Sequence, residues 1–183
     1  KALEMRDHDT EGHSQRVTGL TLKLAREMGL DQSQLPNIKR GALLHDIGKM
    51  AIPDHILQKE GDLTQEEWQE IKRHPVYAKE MLENIQFLRD VMDIPVYHHE
   101  RWDGSGYPQG LKGENIPLAA RIFAVVDVWD ALTSDRPYRK AWTEADAYHH
   151  ILNQSGSHFD PRVVSAFQQV IDFKDTTATA RSP

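Results

Sequence analysis

The segment from Leu118 to Leu132 constrains the fold most, because it is apolar on nearly every side. A helix without a polar stripe has to be surrounded by the rest of the chain, so we predict that this segment is a buried central helix. Asp127 stands inside it, within the run Ala124-Val125-Val126-Asp127-Val128-Trp129. An ionised carboxylate is costly to bury alone, and a divalent cation would compensate its charge.

Around that segment, apolar residues recur at helical spacing, and the chain shows no strand alternation, internal repeat or low-complexity linker. We therefore predict one all-α domain of about seven or eight helices over residues 1–174, followed by a flexible polar tail over 175–183. The other helices are predicted to begin near His13 (ending at Gly29), near Ser33 and Pro36, at the capping pair Thr64 and Glu67, at Phe87 (running to His99), at Thr143 and at Asp160-Pro161.

Composition limits the ligands and partners. The 183 residues include no cysteine, so any metal has to be bound by nitrogen and oxygen atoms. The formal charge of −6 makes extended DNA or RNA a poor partner, and no apolar run is long enough to span a membrane. We expect a cytoplasmic protein. The sequence begins with Lys1 rather than with methionine, and we expect it to be cut from a longer protein.

Several of the ten histidines stand beside other candidate metal ligands. His45-Asp46 and His98-His99 are adjacent pairs, and His74 precedes Pro75, where a helix is expected to break. Neighbours on a helix point about 100° apart, so one member of a pair can bind one metal while the other reaches a second. The two oxygens of a carboxylate such as Asp46 can bridge two metals. Two metals about 3.5–4 Å apart form the usual clamp for phosphodiester hydrolysis.

Each of these side chains also has a structural explanation. A single histidine on an apolar face, such as His13, is more often a packed core residue, and Asp127 alone could be held by a salt bridge. The conjunction of histidines and aspartates at helix faces and ends favours a metal centre instead. We assign the remaining histidines to solvent (His8, His55, His149 and His150) or to a structural role (His158).

Beyond these physical arguments, the ordered motifs resemble those of a known family. His45-Asp46-Ile47-Gly48-Lys49 resembles the defining doublet of the HD metal-dependent phosphohydrolase superfamily. His98-His99-Glu100-Arg101-Trp102-Asp103-Gly104-Ser105-Gly106-Tyr107-Pro108 resembles the second signature of its HD-GYP branch. The stretches 116–122, 130–139 and 158–161 are also similar to that branch, and the match runs from about Asp7 to Phe173. A histidine-aspartate doublet alone is weak, but the ordered series is specific.

The resemblance implies an HD-type fold around a metal centre and hydrolysis of cyclic di-GMP to linear pGpG, with GMP as a further product left open. It implies two or three divalent metals, usually iron or manganese. One metal would be surrounded by His13, His45, Asp46 and Asp127, and Asp46 would bridge to a second held by His74, His98 and His99. Asp9, four residues before His13 and expected on the same helix face, would either bind a third metal or orient a ligand histidine.

The resemblance also gives roles around the substrate. Lys49 would act with Asp46 in catalysis by meeting a phosphate oxygen. Gly106, Tyr107 and Pro108 form a loop in which Tyr107 would offer a stacking face to a base, and Arg136 and Arg139 are candidate phosphate or guanine contacts. Two alternatives stay open: another cyclic dinucleotide such as 3'3'-cyclic GMP-AMP, or a binding module without catalysis. The family also implies an N-terminal sensory or receiver domain, and a homodimer is left open.

Overall fold

The computed structural model describes residues 12–135 and 139–171, and within these ranges the chain is helical and forms no β-sheet. The expected tail over 175–183, Asp9 and Arg136 lie outside the described residues. The described α-helices number nine, and two of them are very short; they are α1 (His13–Glu27), α2 (Leu35–Leu43), α3 (Asp54–Leu57), α4 (Gln65–Ile71), α5 (His74–Leu82), α6 (Asp93–Tyr97), α7 (Leu118–Thr133), α8 (Glu144–Asn153) and α9 (Pro161–Val170). Three 3-10 helices cover Ile47–Ala51, Gln86–Val91 and Gly113–Asn115.

Helix α7 is the centre of the domain, as its sequence predicts. It packs against α1, α6, α8 and α9. Ile122, Phe123, Val125 and Val126 on this helix are fully buried. Burying such side chains contributes about 1.5–3 kcal/mol each. The prediction of an all-α domain built around this segment is confirmed. None of the described helices is both long and apolar enough to cross a lipid bilayer.

The predicted helix starts are present where a capping residue marked them. Thr64 accepts a hydrogen bond from the backbone N–H of Glu67, and the Glu67 side chain accepts from the backbone N–H of Thr64, so the capping box is complete. Thr143 caps α8 through the N–H of Asp146. Asp160 caps α9 in the same way, followed by proline at the first helical position. Caps satisfy backbone donors that would otherwise lack a partner at a helix start.

The prediction of one helix from Phe87 to His99 is wrong. The segment divides into the 3-10 helix Gln86–Val91 and the short helix α6, which ends at Tyr97. Pro95 explains the division, because a proline inside a longer helix lacks the N–H for its hydrogen bond and clashes with the preceding turn. In α6 it falls within the first turn, where its missing N–H costs nothing.

A close contact between the 3-10 helix Ile47–Ala51 and α5 brings two predicted ligand segments together. A Cβ atom at Gly48 would lie 1.9 Å from the carbonyl oxygen of His74 and 2.7 Å from the backbone nitrogen of Ala78. Only glycine allows the two backbones to approach this closely. The Gly48 position of the doublet motif therefore packs His45 and Asp46 beside the start of α5.

Candidate metal centre

The metal ligands predicted from sequence, Asp9 aside, meet in two adjoining groups inside the helical domain. Within each group the candidate ligand atoms all lie within 4.8 Å of one another. They come from the start of α1, the turn after α2, the start of α5, the end of α6 and the middle of α7. The first group is His13, His45 and Asp127, and the second is Asp46, His74, His98 and His99.

Backbone carbonyls orient three of these imidazole rings. A carbonyl oxygen only accepts hydrogen bonds, so the Nδ1 atom that faces it must carry the proton, and Nε2 of the neutral ring then carries a lone pair. This arrangement fixes the direction in which each lone pair points. The donor and acceptor pairs are His45 with Ala42, His74 with Ile71 and His98 with Ile94, each at 2.9 Å.

The lone pairs of these rings converge. Nε2 of His74 lies 3.4 Å from Nε2 of His98, and Nε2 of His13 lies 3.5 Å from Nε2 of His45. His74 and His98, both neutral and both donating through Nδ1, have no proton to share between their Nε2 atoms, so these two lone pairs repel each other. A divalent cation between them would remove this repulsion, and imidazole nitrogen is a suitable ligand. The donor set therefore fits metal ions.

The Asp46 carboxylate lies between the two groups. Its Oδ2 atom is 3.1 Å from Nε2 of His45, in the first group. Its Oδ1 atom is 3.3 Å from Nε2 of His74 and 3.8 Å from Nε2 of His98, in the second. Each oxygen thus faces a different set of histidines, which is the arrangement that a bridging carboxylate requires.

The protonation states suit metal binding at the second group. Burial lowers the pKa of His98 and of His99 well below the usual value, with neighbouring histidines adding to the effect on both. Burial likewise lowers the pKa of His74. These rings are therefore neutral at pH 7, which is the form that binds a metal.

The first group favours a positive charge. Burial lowers the pKa of His45, but the carboxylates of Asp46 and Asp127 outweigh that effect and raise it to about 9. Burial raises the pKa of Asp127, whose side chain is 23% exposed and lies 3.7 Å from His13. A proton or a metal ion can supply the positive charge that these carboxylates favour.

Asp130 is a functional residue that the sequence reasoning missed. It is buried, and it accepts a hydrogen bond from Nδ1 of His13 at 2.7 Å. Arg16 binds both its oxygens, at 2.6 and 3.0 Å. Together these contacts hold the pKa of Asp130 at about 2 despite the opposing effect of burial. Its spacing of three residues from Asp127 on a helix was the available signal.

Helix α1 begins at His13, because Gly12 before it has a left-handed φ of 79°. Gly12 therefore interrupts the helical continuity from which Asp9 was predicted to share a face with His13. Asp9 itself is outside the described part of the chain. Asp130 orients His13, and the role of Asp9, as a ligand of a third metal or as the partner of a ligand histidine, stays a prediction.

Only one of the two adjacent pairs divides between the two ligand groups, as predicted. His45 and Asp46 face different groups, but His98 and His99 belong to the same group, with ring centroids 4.0 Å apart. Both pairs lie beyond a helix end rather than inside a helix, since α2 ends at Leu43 and α6 at Tyr97. The 100° rule for helical neighbours therefore does not govern them.

The loop with Tyr107 packs onto the second group. The ring of Tyr107 stacks on His99, with centroids 4.7 Å apart and planes 24° apart. A Cβ atom at Gly106 would lie 2.3 Å from the backbone nitrogen of Arg101, so only glycine fits there. The buried carboxylate of Glu100 fixes the other side of the loop by accepting backbone N–H groups of Gln109 and Leu111, at 2.7 and 2.9 Å.

A cavity of about 290 Å³ opens onto both groups. Lys49 reaches it with 17% of its side chain exposed, and its Nζ atom lies 2.7 Å from Oδ2 of Asp46. The apolar residues on its wall are Leu57, Trp68 and Ile71, and the others that line it are His13, Asp46, His74, His99, Tyr107 and Asp127.

Other predicted residues lie away from this cavity. Arg139 is exposed and donates to the carbonyl oxygen of Ala131, so the structure does not bring it to the centre. His158 stacks on Phe159 at 4.2 Å, as expected for a structural histidine. His55 and His149 are exposed, whereas His150 is half-buried against Trp142 rather than fully in solvent.

Fold and site together define an all-helical domain with two adjoining sets of nitrogen and oxygen ligands suited to metal ions. The family model that describes the HD domain matches residues 1–163. The chain belongs to the HD-domain family, and its motifs and curated relatives place it in the HD-GYP branch. Members of this family use divalent metals, which agrees with the ligand groups described above.

Among curated relatives, the cyclic di-GMP phosphodiesterase response regulator RpfG of Xanthomonas campestris is 46% identical over 168 residues, which are 91% of this chain and 44% of RpfG. The cyclic di-GMP phosphodiesterase PA4108 of Pseudomonas aeruginosa is 44% identical over 98% of this chain and 43% of its own length. The 3'3'-cGAMP-specific phosphodiesterase 2 of Vibrio cholerae is 41% identical over 89% of this chain and 32% of its own. The chain therefore spans less than half the length of these relatives.

Solved structures share the fold. Bd1817 of Bdellovibrio bacteriovorus superposes with a TM-score of 0.70 at 21% identity, covering 88% of this chain and 52% of that one. A cyclic GMP-AMP-specific phosphodiesterase of Vibrio cholerae superposes with a TM-score of 0.71 at 20% identity, covering 88% and 44%.

Proposed function

We propose that this chain is the catalytic domain of a metal-dependent phosphodiesterase that hydrolyses cyclic di-GMP to linear pGpG. The observation that carries the proposal is the Asp46 carboxylate, whose two oxygens face two separate groups of histidines. Relatives such as RpfG and PA4108 are named as cyclic di-GMP phosphodiesterases, which supports cyclic di-GMP as the substrate. Residues 1–174 would form this domain.

Two metals are proposed, one held by His13, His45 and Asp127 and the other by His74, His98 and His99, with Asp46 shared between them. Divalent metals in such a pair lower the pKa of water and stabilise phosphate oxygens during in-line displacement. We propose iron or manganese, since the nitrogen and oxygen donors suit either. A third metal with Asp9 as ligand stays a prediction.

The protein side chains supply position and charge. Asp130 and the three backbone carbonyls hold the imidazole rings in one tautomer, so no reorganisation is needed when substrate arrives. Lys49 places its ammonium group on the cavity wall, where it can meet a phosphate oxygen while it stays paired with Asp46. The phosphodiester group of the dinucleotide would lie beside the metal ligands, and its bases would face the apolar wall of the cavity.

A second candidate substrate is 3'3'-cyclic GMP-AMP, because a relative that is 41% identical is named as specific for it. A contact of Arg136 or Arg139 with substrate, the cytoplasmic location, the sensory or receiver domain and the homodimer also stay predictions.

The test is anaerobic purification, loading with iron or manganese, and measurement of turnover with cyclic di-GMP and 3'3'-cyclic GMP-AMP. The proposal expects conversion of cyclic di-GMP to pGpG at the higher kcat/KM. Preference for the mixed dinucleotide would move the assignment to the second candidate. Metal-loaded protein that binds a cyclic dinucleotide and cleaves neither would favour a binding module without catalysis.

A further inference from the structure

The cavity above the candidate metal centre has an apolar wall that hydrolysis itself does not require. Trp68 lines this wall together with Leu57 and Ile71, and the same cavity is lined by Asp46 and His99. Its side chain is 51% exposed. Its location matters more than its exposure, because an apolar wall beside a few convergent polar groups is typical of a ligand site.

Helix α4, which carries Trp68, is held in place although it contributes no buried residue to the core. Lys59 pairs with Glu67 at 2.6 Å. At the other end, the hydroxyl of Tyr77 on α5 donates to Glu70 at 2.7 Å. These polar contacts fix a helix that gains little from burial. Its placement therefore serves the cavity wall more than the core.

Tyr107, predicted to offer a face to a base, is less open than Trp68. One face of its ring is covered by His99 at 4.7 Å, and Nζ of Lys72 lies 5.6 Å from its centroid. Within 12–135 and 139–171, by contrast, no ring or cation packs on the indole of Trp68. The free aromatic surface beside the metal centre thus belongs to Trp68.

We propose that Trp68 stacks on a purine base of the substrate, with Leu57 and Ile71 extending the apolar contact. The inference rests on the proposed function, and it adds an affinity determinant to that site. Stacking on an aromatic ring tolerates any base, because every base has a π face. Trp68 thus contributes equally to binding of cyclic di-GMP and of 3'3'-cyclic GMP-AMP, and the choice between guanine and adenine is made by hydrogen bonds elsewhere.

The kinetic test is Trp68→Leu in the metal-loaded chain. KM for both dinucleotides rises about tenfold, as expected for one lost base stack. The fall in kcat is smaller, and the metal content per chain stays the same. Trp142→Leu is the matched control, since Trp142 is 39% exposed and borders a different depression on α8. An unchanged KM in Trp68→Leu, or an equal rise in Trp142→Leu, overturns the proposal.

A second test does not depend on hydrolysis. Linear pGpG is titrated into the metal-loaded chain while tryptophan emission is recorded. Saturable quenching is expected in the wild type and in Trp142→Leu, and its loss is expected in Trp68→Leu. If the wild type cleaves no cyclic dinucleotide but shows this pattern, the proposed function fails and the stacking stands. Quenching that is absent in the wild type, or equal in Trp68→Leu, refutes the stacking whether or not the chain is active.

Discussion

Asp130 accepts a hydrogen bond from Nδ1 of His13 at 2.7 Å and so directs the other ring nitrogen toward His45 and Asp127. Arg16 binds both oxygens of the same carboxylate. The position of His13 in the candidate centre therefore depends on a residue three positions after Asp127 on α7.

Replacing Asp130 should weaken metal binding without removing a metal ligand. In Asp130→Ala the ring of His13 loses its fixed tautomer, and metal affinity is expected to fall about 10- to 100-fold, the usual effect of losing such an orienting partner. Titration with manganese under anaerobic conditions measures this change, with the exposed Asp90→Asn as control. Affinity equal to that of the wild type would mean that Asp130 serves the fold alone.

Glu100 should control the stability of the Tyr107 loop. The two oxygens of Glu100 accept N–H groups of Gln109 and Leu111, and glutamine has only one acceptor oxygen. In Glu100→Gln one of these part-buried backbone N–H groups loses its acceptor, which costs about 1 kcal/mol of unfolding free energy. Urea unfolding measures the unfolding free energy of Glu100→Gln, and Glu80→Gln, an exposed substitution on α5, serves as the control. A loss no larger than in this control would show that the loop is held by other contacts.

Truncating Tyr107 separates substrate binding from metal binding. Tyr107 stacks on His99 but is not itself among the candidate ligands. We expect Tyr107→Ala to raise KM for cyclic di-GMP while the metal content stays unchanged. If metal is lost instead, the stack on His99 supports the centre, and the role of the loop is structural.

Acid should destabilise the domain through His158. Burial lowers the pKa of His158 to about 4, from an ordinary value of 6.5. As the pH falls, His158 takes up a proton in the unfolded chain before it does so in the folded chain. The unfolding free energy is therefore highest above pH 6.5 and decreases as the pH falls toward 4. His158→Gln should therefore lose less unfolding free energy than the wild type between pH 7 and pH 5.

Urea unfolding of chelator-treated protein at both pH values measures this difference, since the histidines of the metal centre titrate alike in both proteins. The exposed His149→Gln serves as control and should behave as the wild type. Equal pH dependence of wild type and His158→Gln would contradict the assignment.

The sequence predicted those parts of the fold that depend on local signals. The all-round apolar run of α7 and the caps Thr64, Thr143 and Asp160 are local, and each is present in the structure. The prediction of a Phe87–His99 helix was wrong because the ring of Pro95 is accommodated only in the first turn of a helix.

The candidate ligands could be named from motifs, but their geometry could not. Whether His98 and His99 share one group is set by the chain direction after α6, and no spacing rule for a helix applies there. Asp130 was missed because its partner His13 is 117 residues away in sequence. Trp68 was missed as a cavity residue because its helix packs through polar contacts.

The central claim is that Asp46 joins two metals, and anomalous diffraction from crystals of the manganese- or iron-loaded chain tests it most directly. Two anomalous peaks are predicted, about 3.5–4 Å apart, with one Asp46 oxygen bound to each. Asp46→Ala, measured alongside, should keep the helical circular dichroism and lose activity together with at least one metal. A single peak, or two peaks with Asp46 bound to only one, would contradict the account.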